Sequence, residues 1–343
     1  TINAMAWDLV HHRLEDPHDG RADLAAKRIR AIGDPDERFR EDGLRPLRAC
    51  RFAAQLGFTV EERTLEAIPR ALEVTARVSA ERVRDELVKI LAAARPSDGL
   101  RLMHRTGLLA HVLPELAAGE GVVQGDLHCW DVLNHSLMAC DAAPRGDLVL
   151  RLAALLHDAG KPPSAGSAPD GRPTFHGHER RSGDIAVAVL ERLRFPASVV
   201  RDVAHLVGEH MFNYTEEWSD AAVRRLIARV GEQHIDALIA LRRADQAGMC
   251  PGNAEAYPQG LADFARRVRA VLEGARALTL RDLAVDGKDV MDRLQIRAGP
   301  AVGKVLAERM EAVLDDPALN ERGRLLEIAE RVYRERMAPG SAS

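Results

Sequence analysis

The residues most able to do chemistry are the adjacent pair His157 and Asp158, which end an otherwise apolar run reading RLAALL. Burying these two side chains without partners would cost several kcal/mol, and a bound metal ion accounts for both. Residues of the same ligand types lie on or beside predicted helices elsewhere in the chain: His135, His178, His210 and Asp245. Together the six side chains are enough to hold two metal ions.

The ligand types indicate which metal and which reaction to expect. Imidazole with carboxylate suits Mn, Fe, Co, Ni or Zn better than Ca, while Mg would rely on the carboxylates and water, so we expect one or two divalent ions of open identity. Asp158 is the natural bridge between two ions, which activate water to attack phosphorus. Lys161, one turn further on, can neutralise charge on a phosphate oxygen. These residues predict a phosphohydrolase in which His157, Asp158 and Lys161 are catalytic.

The other histidines have a simpler interpretation. The chain contains 13 of them, and an isolated histidine near an apolar face is more often structural or solvated. We assign that role to four residues: His11, His12, His104 and His234. His205 precedes His210 closely and is open between a ligand and a surface neighbour, of which we favour the second.

Composition predicts a mainly all-α protein. The 343 residues are 46% hydrophobic but only 4% aromatic, and Ala, Leu, Arg and Glu abound, which favours helices. Lys and Arg total 48 against 52 for Asp and Glu, so any nucleic-acid face must be local. The four cysteines are far apart, which indicates reduced thiols in a cytoplasmic protein. No apolar run is long enough to span a membrane, so we expect no membrane partner.

Helical patterning organises the chain. Apolar spacing becomes helical at Asp36 and stops at Gly57, and another helix opens at Ser79. The segment 163–173 is rich in Pro, Gly and Ser and is predicted to be a loop. Helices then resume until a break at PGNAEAYPQG, which precedes a final helical part. These changes divide the chain into four segments: 1–35, 36–115, 116–260 and 261–343.

Two resemblances follow from ordered motifs. His135, LLHDAGKP, FHGHE, GEHM and RADQAG together resemble the HD phosphohydrolase superfamily over roughly residues 128 to 250. This resemblance implies that one group of residues holds the principal metal and another supplies a second. The first group is His135, His157, Asp158 and Asp245, and the second is His178 and His210.

A second resemblance covers more of the chain. TINAMA, LEDPHDGRADL, EDGLRPLRACRFAAQLGF and SAERVRDELVKIL are similar to successive motifs of class II tRNA nucleotidyltransferases, the CCA-adding enzymes, and their poly(A) polymerase relatives. In many bacterial members an HD domain follows. The resemblance implies a small α/β remnant of a nucleotidyltransferase head (1–35), a helical neck (36–115), an HD body (116–260) and a helical tail (261–343).

The neck contains a candidate nucleotide site. In EDGLRPLR, Asp42 and Arg45 are predicted to lie on one helix face with Arg48 one turn further, which suits either base recognition or an ordinary solvated face of ion pairs. The resemblance implies that Asp42 and Arg45 bond the base of CTP or ATP, that Arg48 lies close to the nucleotide, and that Asn3 lies near the ribose. It also implies a tRNA or RNA 3′ end as partner.

One departure from the family pattern decides our leading hypothesis. The family's catalytic head begins with a Gly-rich segment and paired aspartates upstream of TINAMA, whereas this chain opens at TINAMA. We therefore expect the chain as given to lack the head and to act as an HD-type phosphohydrolase on RNA or nucleotide phosphoesters. CCA addition to tRNA when joined to a head, and a non-catalytic tRNA-binding module, are the alternatives.

Overall fold

A computed structural model describes residues 1–125, 129–212, 214–215, 217–249, 260–274 and 282–336. The chain divides into two compact units, of which the first comprises 1–212 with 237–257 and the second comprises 213–236 with 258–343. Helices dominate the described residues, and strands occur only as short pairs, so the predicted mainly all-α class is confirmed. Within those residues, no helix has both the length and the apolar character needed to cross a membrane.

The N-terminal part of the first unit holds the small α/β portion. Strand β1 (Ala6–Asp8) pairs antiparallel with β2 (Arg13–Glu15), and β3 (Arg28–Ile29) pairs in parallel with β4 (Thr59–Val60). Asp23 is buried and accepts hydrogen bonds from Thr1 Oγ1, Arg28 Nε and Arg30 Nε. Burial raises the pKa of Asp23, but these bonds outweigh burial and lower it overall. Helix α1 (Gly20–Ala25) lies between β2 and β3 in the chain.

Short and medium helices continue the first unit. They are α2 (Pro35–Glu41), α3 (Arg45–Leu56), α4 (Glu62–Ala67), α5 (Leu72–Thr75), α6 (Ala80–Leu91), α7 (Pro96–Arg105), α8 (Leu108–Val112) and α9 (Pro114–Ala117). The predicted stop at Gly57 is confirmed, because this glycine has a φ of 65° and donates its N–H to Ala53 O. Ser79 directly precedes α6, as predicted.

The helix predicted from Asp36 to Gly57 is interrupted. Asp42 is extended, with φ −149° and ψ 107°, and its Oδ1 accepts the N–H of Leu44 at 3.1 Å. Gly43 packs so closely on another segment that an added Cβ would lie 2.5 Å from Val74 O. The prediction that Asp42 and Arg45 share one helix face is therefore wrong, because Asp42 lies in the break before α3.

Longer helices complete the first unit: α10 (Val132–Ala142), α11 (Leu148–Leu156), α12 (His178–Arg192), α13 (Ala197–Glu209) and the C-terminal part of α15 (Glu232–Ala247). Within the predicted loop, β5 (Gly166–Ser167) pairs antiparallel with β6 (Pro173–Thr174). The buried Arg151 of α11 donates to Leu91 O and Ala93 O, both at 2.7 Å. Because helix ends leave carbonyls unpaired, Arg151 fixes α11 to the end of α6.

The second unit has its own apolar core. Its helices are α14 (Asp220–Val230), α16 (Gly260–Gly274), α17 (Gly287–Leu294), α18 (Pro300–Asp315) and α19 (Arg322–Arg336). The fully buried apolar residues of one cluster are Val290, Val305, Val313, Leu325 and Ala329. These side chains hold α17, α18 and α19 together.

The cysteines differ from the prediction in one respect. Cys50 and Cys140 carry free, buried thiols, and burial raises the pKa of each to about 12. Cys129, however, is disulfide-bonded. The prediction of reduced thiols is therefore wrong for Cys129, while Cys250 lies outside the described residues.

Candidate functional site

All six predicted metal ligands meet in the first unit, and all are buried. Five helices and one turn supply them: His135 within α10, His157 at the end of α11, Asp158 in the following turn, His178 at the start of α12, His210 at the end of α13 and Asp245 within α15. Helix ends therefore supply half of the ligands.

The ligand atoms form two clusters that share one carboxylate. In the first, His135 Nε2 lies 3.2 Å from His157 Nε2 and 3.0 Å from Asp245 Oδ1. Asp158 Oδ2 lies 3.2 Å from His157 Nε2. In the second, Asp158 Oδ1 lies 3.3 Å from His178 Nε2 and 3.7 Å from the Nε2 of the remaining histidine, His210. Asp158 thus presents a different oxygen to each cluster, as a bridging ligand does.

The backbone fixes how the four imidazoles face. Each Nδ1 lies within hydrogen-bonding distance of a carbonyl oxygen: His157 to Ala154 at 2.8 Å, His178 to Phe175 at 2.8 Å, His210 to Val207 at 2.7 Å and His135 to Gly248 at 3.3 Å. Because a carbonyl oxygen only accepts, each Nδ1 donates, and each neutral ring directs an Nε2 lone pair inward. Three of these carbonyls lie three residues earlier, so the local chain path orients those rings.

This arrangement needs a cation. Two buried carboxylates face the rings, and His178 Nε2 is buried with no hydrogen bond within the part of the chain that the structure describes. Burial lowers the pKa of His157, but Asp158 and Asp245 outweigh burial and raise it to about 10. Burial and the charge of His157 lower the pKa of His210 to about 3. The centre therefore draws positive charge to the first cluster, and its donor set fits a divalent ion.

Two glycines allow the ligand-bearing segments to approach. A Cβ on Gly160 would lie 2.4 Å from His178 O and 2.6 Å from Ser182 N, and the N–H of Gly160 donates to Ser182 Oγ at 2.8 Å. A Cβ on Gly248 would lie 3.2 Å from His135 O. These contacts bring the turn after α11 against α12, and the end of α15 against α10.

A cavity of about 410 Å³ opens onto the centre. Lys161 lines it and donates from Nζ to Asp158 Oδ2 at 2.7 Å and to Gln124 Oε1 at 2.6 Å. Arg242 also lines it and donates from Nη1 to Asp245 Oδ2 at 2.5 Å. Arg242 was not predicted from the sequence, although its position three residues before Asp245 on a predicted helix was a usable signal.

A second cavity, of about 440 Å³, lies in the N-terminal part of the first unit. Three of the four predicted nucleotide-binding residues line it: Asn3, Arg45 and Arg48. Asp42 is not among its lining residues. Instead, the carboxylate of Asp42 accepts from Arg82 Nη2 at 3.1 and 3.2 Å.

Further residues of this second cavity were not predicted from the sequence. Arg30, Arg38, Phe39 and Phe52 line it together with the predicted arginines. These residues come from the segment after β3, from α2 and from α3, so no single local pattern connects them. Arginines beside aromatic rings suit an anionic ligand with a flat base, since guanidinium groups bind phosphate and rings stack on bases.

Comparisons with known proteins identify two family matches in the chain. Residues 57–119 match a family described as "Probable RNA and SrmB- binding site of polymerase A", and residues 126–248 match the HD domain family. The A-adding tRNA nucleotidyltransferase of Deinococcus radiodurans is 37% identical over 326 residues, which cover 91% of this chain and 73% of that protein.

Two further proteins are similar to most of this chain. The CC-adding tRNA nucleotidyltransferase of Thermus thermophilus is 37% identical over 317 residues, covering 89% of this chain and 70% of that protein. The crystal structure of the Bacillus stearothermophilus CCA-adding enzyme in complex with CTP matches 98% of this chain and 73% of that one, with 26% identity and a TM-score of 0.71. The chain therefore belongs to the tRNA nucleotidyltransferase family that includes the CCA-adding enzymes, and it contains an HD domain.

Proposed function

We propose that the chain is a divalent-metal phosphohydrolase of the HD type, acting on phosphoesters of RNA or nucleotides. One observation carries the proposal: four Nε2 atoms and two carboxylates converge while every Nδ1 lies within hydrogen-bonding distance of a backbone carbonyl. Backbone partners that orient histidines in this way are typical of metal sites.

The donor set divides naturally between two ions. One ion would be held by His135, His157, Asp158 and Asp245, and the other by Asp158, His178 and His210. The mixture of imidazole nitrogen and carboxylate oxygen suits several first-row metals, and Mg through the carboxylates. The shared Asp158 would couple the binding of the two ions.

The chain's own residues account for substrate binding. A bound divalent ion supplies Lewis acidity and lowers the pKa of water. Lys161 lies beside Asp158 at the cavity wall and is placed to neutralise charge that develops on a phosphate oxygen. The cavity of about 410 Å³ is within the usual range for small-molecule sites, so it suits a terminal nucleotide phosphate.

Hydrolysis by the 343-residue chain tests this proposal. Protein loaded with Mn²⁺ should hydrolyse bis(p-nitrophenyl) phosphate, and His157→Ala should abolish the activity. His205→Ala is the matched control, because His205 is a half-buried histidine of α13 outside both clusters. Unchanged activity in His157→Ala, or purified protein without any bound divalent ion after loading, would overturn the assignment.

We also propose a second function, nucleotidyl transfer from CTP or ATP to a tRNA 3′ end when the chain is joined to a nucleotidyltransferase head, in which the second cavity binds the nucleotide. Its arginines and phenylalanines support this, and so does family membership. The match at 57–119 supports RNA contact by the neck. Arg48 lies with its guanidinium 5.9 Å from the Phe52 ring, a position from which both groups can contact one ligand.

Binding measurements test this second function apart from the first. CTP and ATP should bind the wild type, and Arg48→Ala should weaken both, while the exposed Arg77→Ala serves as control. No binding of either nucleotide to the wild type would exclude the role of this cavity. The logarithm of the association constant for tRNA should fall linearly with the logarithm of the salt concentration. Salt-sensitive tRNA binding with neither nucleotide binding nor hydrolysis would favour a tRNA-binding module.

A further inference from the structure

Arg242 occupies an unusual place beside the metal ligands. It lies three residues before Asp245 on α15, so helix geometry places both side chains on one face. Both side chains are buried, and Arg242 Nη1 donates to Asp245 Oδ2 at 2.5 Å. The other oxygen, Oδ1, faces His135 Nε2 at 3.0 Å. Asp245 therefore divides its two oxygens between a guanidinium and the ligand cluster.

Lys161 has the corresponding position at the other carboxylate. It donates to Asp158 Oδ2 at 2.7 Å and lines the same cavity as Arg242. The two carboxylates and the two cations balance in charge when the histidines are neutral. Any bound divalent ion therefore makes the centre positive, and the cavity then attracts an anion. Two cations from separate elements border the space that this anion would enter.

We propose that Arg242 has two tasks: it restricts Asp245 to one-oxygen metal ligation, and it contacts the phosphate group in the cavity. The phosphate contact deepens the proposed phosphohydrolase function and rests on it for the substrate. A guanidinium suits both tasks, because its planar donors can bond a carboxylate with one edge and a phosphate with another while keeping its charge when buried.

A purely structural ion pair is the competing explanation. Such a pair would be equally satisfied by burial away from the cavity, whereas Arg242 forms part of the cavity wall with only 8% exposure. The next residue, Arg243, is exposed on the same helix, so this part of α15 presents one arginine to the centre and one to solvent. The adjacent pair supplies a matched comparison.

Calorimetry on the full chain separates the two tasks. Arg242→Met should weaken Mn²⁺ binding by about 10- to 100-fold, the usual effect of losing a partner of a metal ligand. In protein saturated with Mn²⁺, the same variant should bind inorganic phosphate at least about tenfold more weakly. Arg242→Lys should restore most of the phosphate affinity, because it restores the charge, but little of the Mn²⁺ affinity. Arg243→Met should match the wild type in both measurements.

Each result decides one task. Unchanged Mn²⁺ affinity in Arg242→Met would overturn the positioning of Asp245, and unchanged phosphate affinity would overturn the phosphate contact. Arg242→Gln, which keeps a donor without the charge, provides the same test if circular dichroism shows that the methionine variant is unfolded. If Arg242 formed only a structural ion pair, Arg242→Met and Arg242→Gln would both lower the stability of the protein. Neither variant would show a selective loss of phosphate binding that Arg242→Lys restores.

The same measurements keep this inference distinct from the proposed function. If the wild-type protein binds Mn²⁺ and phosphate through Arg242 but hydrolyses no phosphoester, the proposed hydrolase function is refuted. The proposed role of Arg242 is then unaffected. Conversely, a hydrolase whose KM and kcat are unaffected by Arg242→Met would retain its function and refute the inference.

Discussion

Replacing Gly160 with alanine should separate the two halves of the metal centre. The added methyl group would lie 2.4 Å from His178 O and 2.6 Å from Ser182 N, about 1 Å inside the 3.4 Å at which ordinary contact begins. Both contacts are with backbone, which cannot rotate away. The turn that carries His157 and Asp158 must therefore move from the start of α12, or the methyl group must displace that helix.

The size of the effect follows from the tolerance of metal sites. Ligand distances usually hold within about 0.2 Å, so a shift of about 1 Å between Asp158 and His178 should disrupt the second cluster first. Overpacking of this kind typically destabilises a protein by about 1–3 kcal/mol. A misplacement of about 1 Å near reacting groups can reduce activity by about 100-fold. The first cluster should lose less affinity, because His157 and Asp158 move together.

Calorimetric titration with Mn²⁺ measures this directly. Gly160→Ala should lose one binding event or weaken it at least about tenfold, while retaining helical circular dichroism. Gly208→Ala is the matched control, since it lies in α13 of the same unit and an added Cβ would meet no atom within 4 Å. Wild-type stoichiometry and affinity in Gly160→Ala would refute the reasoning.

Three further predictions concern stability. Arg151→Met should lower the urea-unfolding free energy by about 1–3 kcal/mol, because the carbonyls of Leu91 and Ala93 lose their buried donor, and an unchanged value would contradict this. Because the pKa of Asp23 is lowered in the folded protein, its carboxylate stabilises the fold at pH values above the unfolded pKa of about 3.9. This contribution disappears as the pH falls below the folded pKa. The stability difference between wild type and Asp23→Asn should therefore shrink from about pH 6 to about pH 2, and a constant difference would argue against it. Mn²⁺ at 100 times its Kd should stabilise the wild type by about 2.7 kcal/mol, and His157→Ala should lose most of this gain; equal stabilisation of both would place the ion elsewhere.

Local rules were enough for much of the helical framework. The end of α3 at Gly57 was predictable, because Gly57 has a φ of 65°, a conformation that glycine adopts without strain. The break before α3 was missed because it depends on a tertiary contact, in which Gly43 packs on the backbone of Val74 and accepts from Thr75 Oγ1 at 2.9 Å. Because of that contact, and not because of helix propensity, Asp42 lies outside the helix that begins at Arg45.

For the candidate site, residue types and order carried the prediction of the six ligands, since His157 and Asp158 are costly to bury in an apolar helix end without a partner. The sequence by itself determined which side chains are suited to a metal. Only the tertiary structure decided that the four rings donate Nδ1 to carbonyls and turn Nε2 inward, and that Arg242 joins Lys161 at the cavity. Those features depend on where helix ends meet in space, which spacing along one chain does not specify.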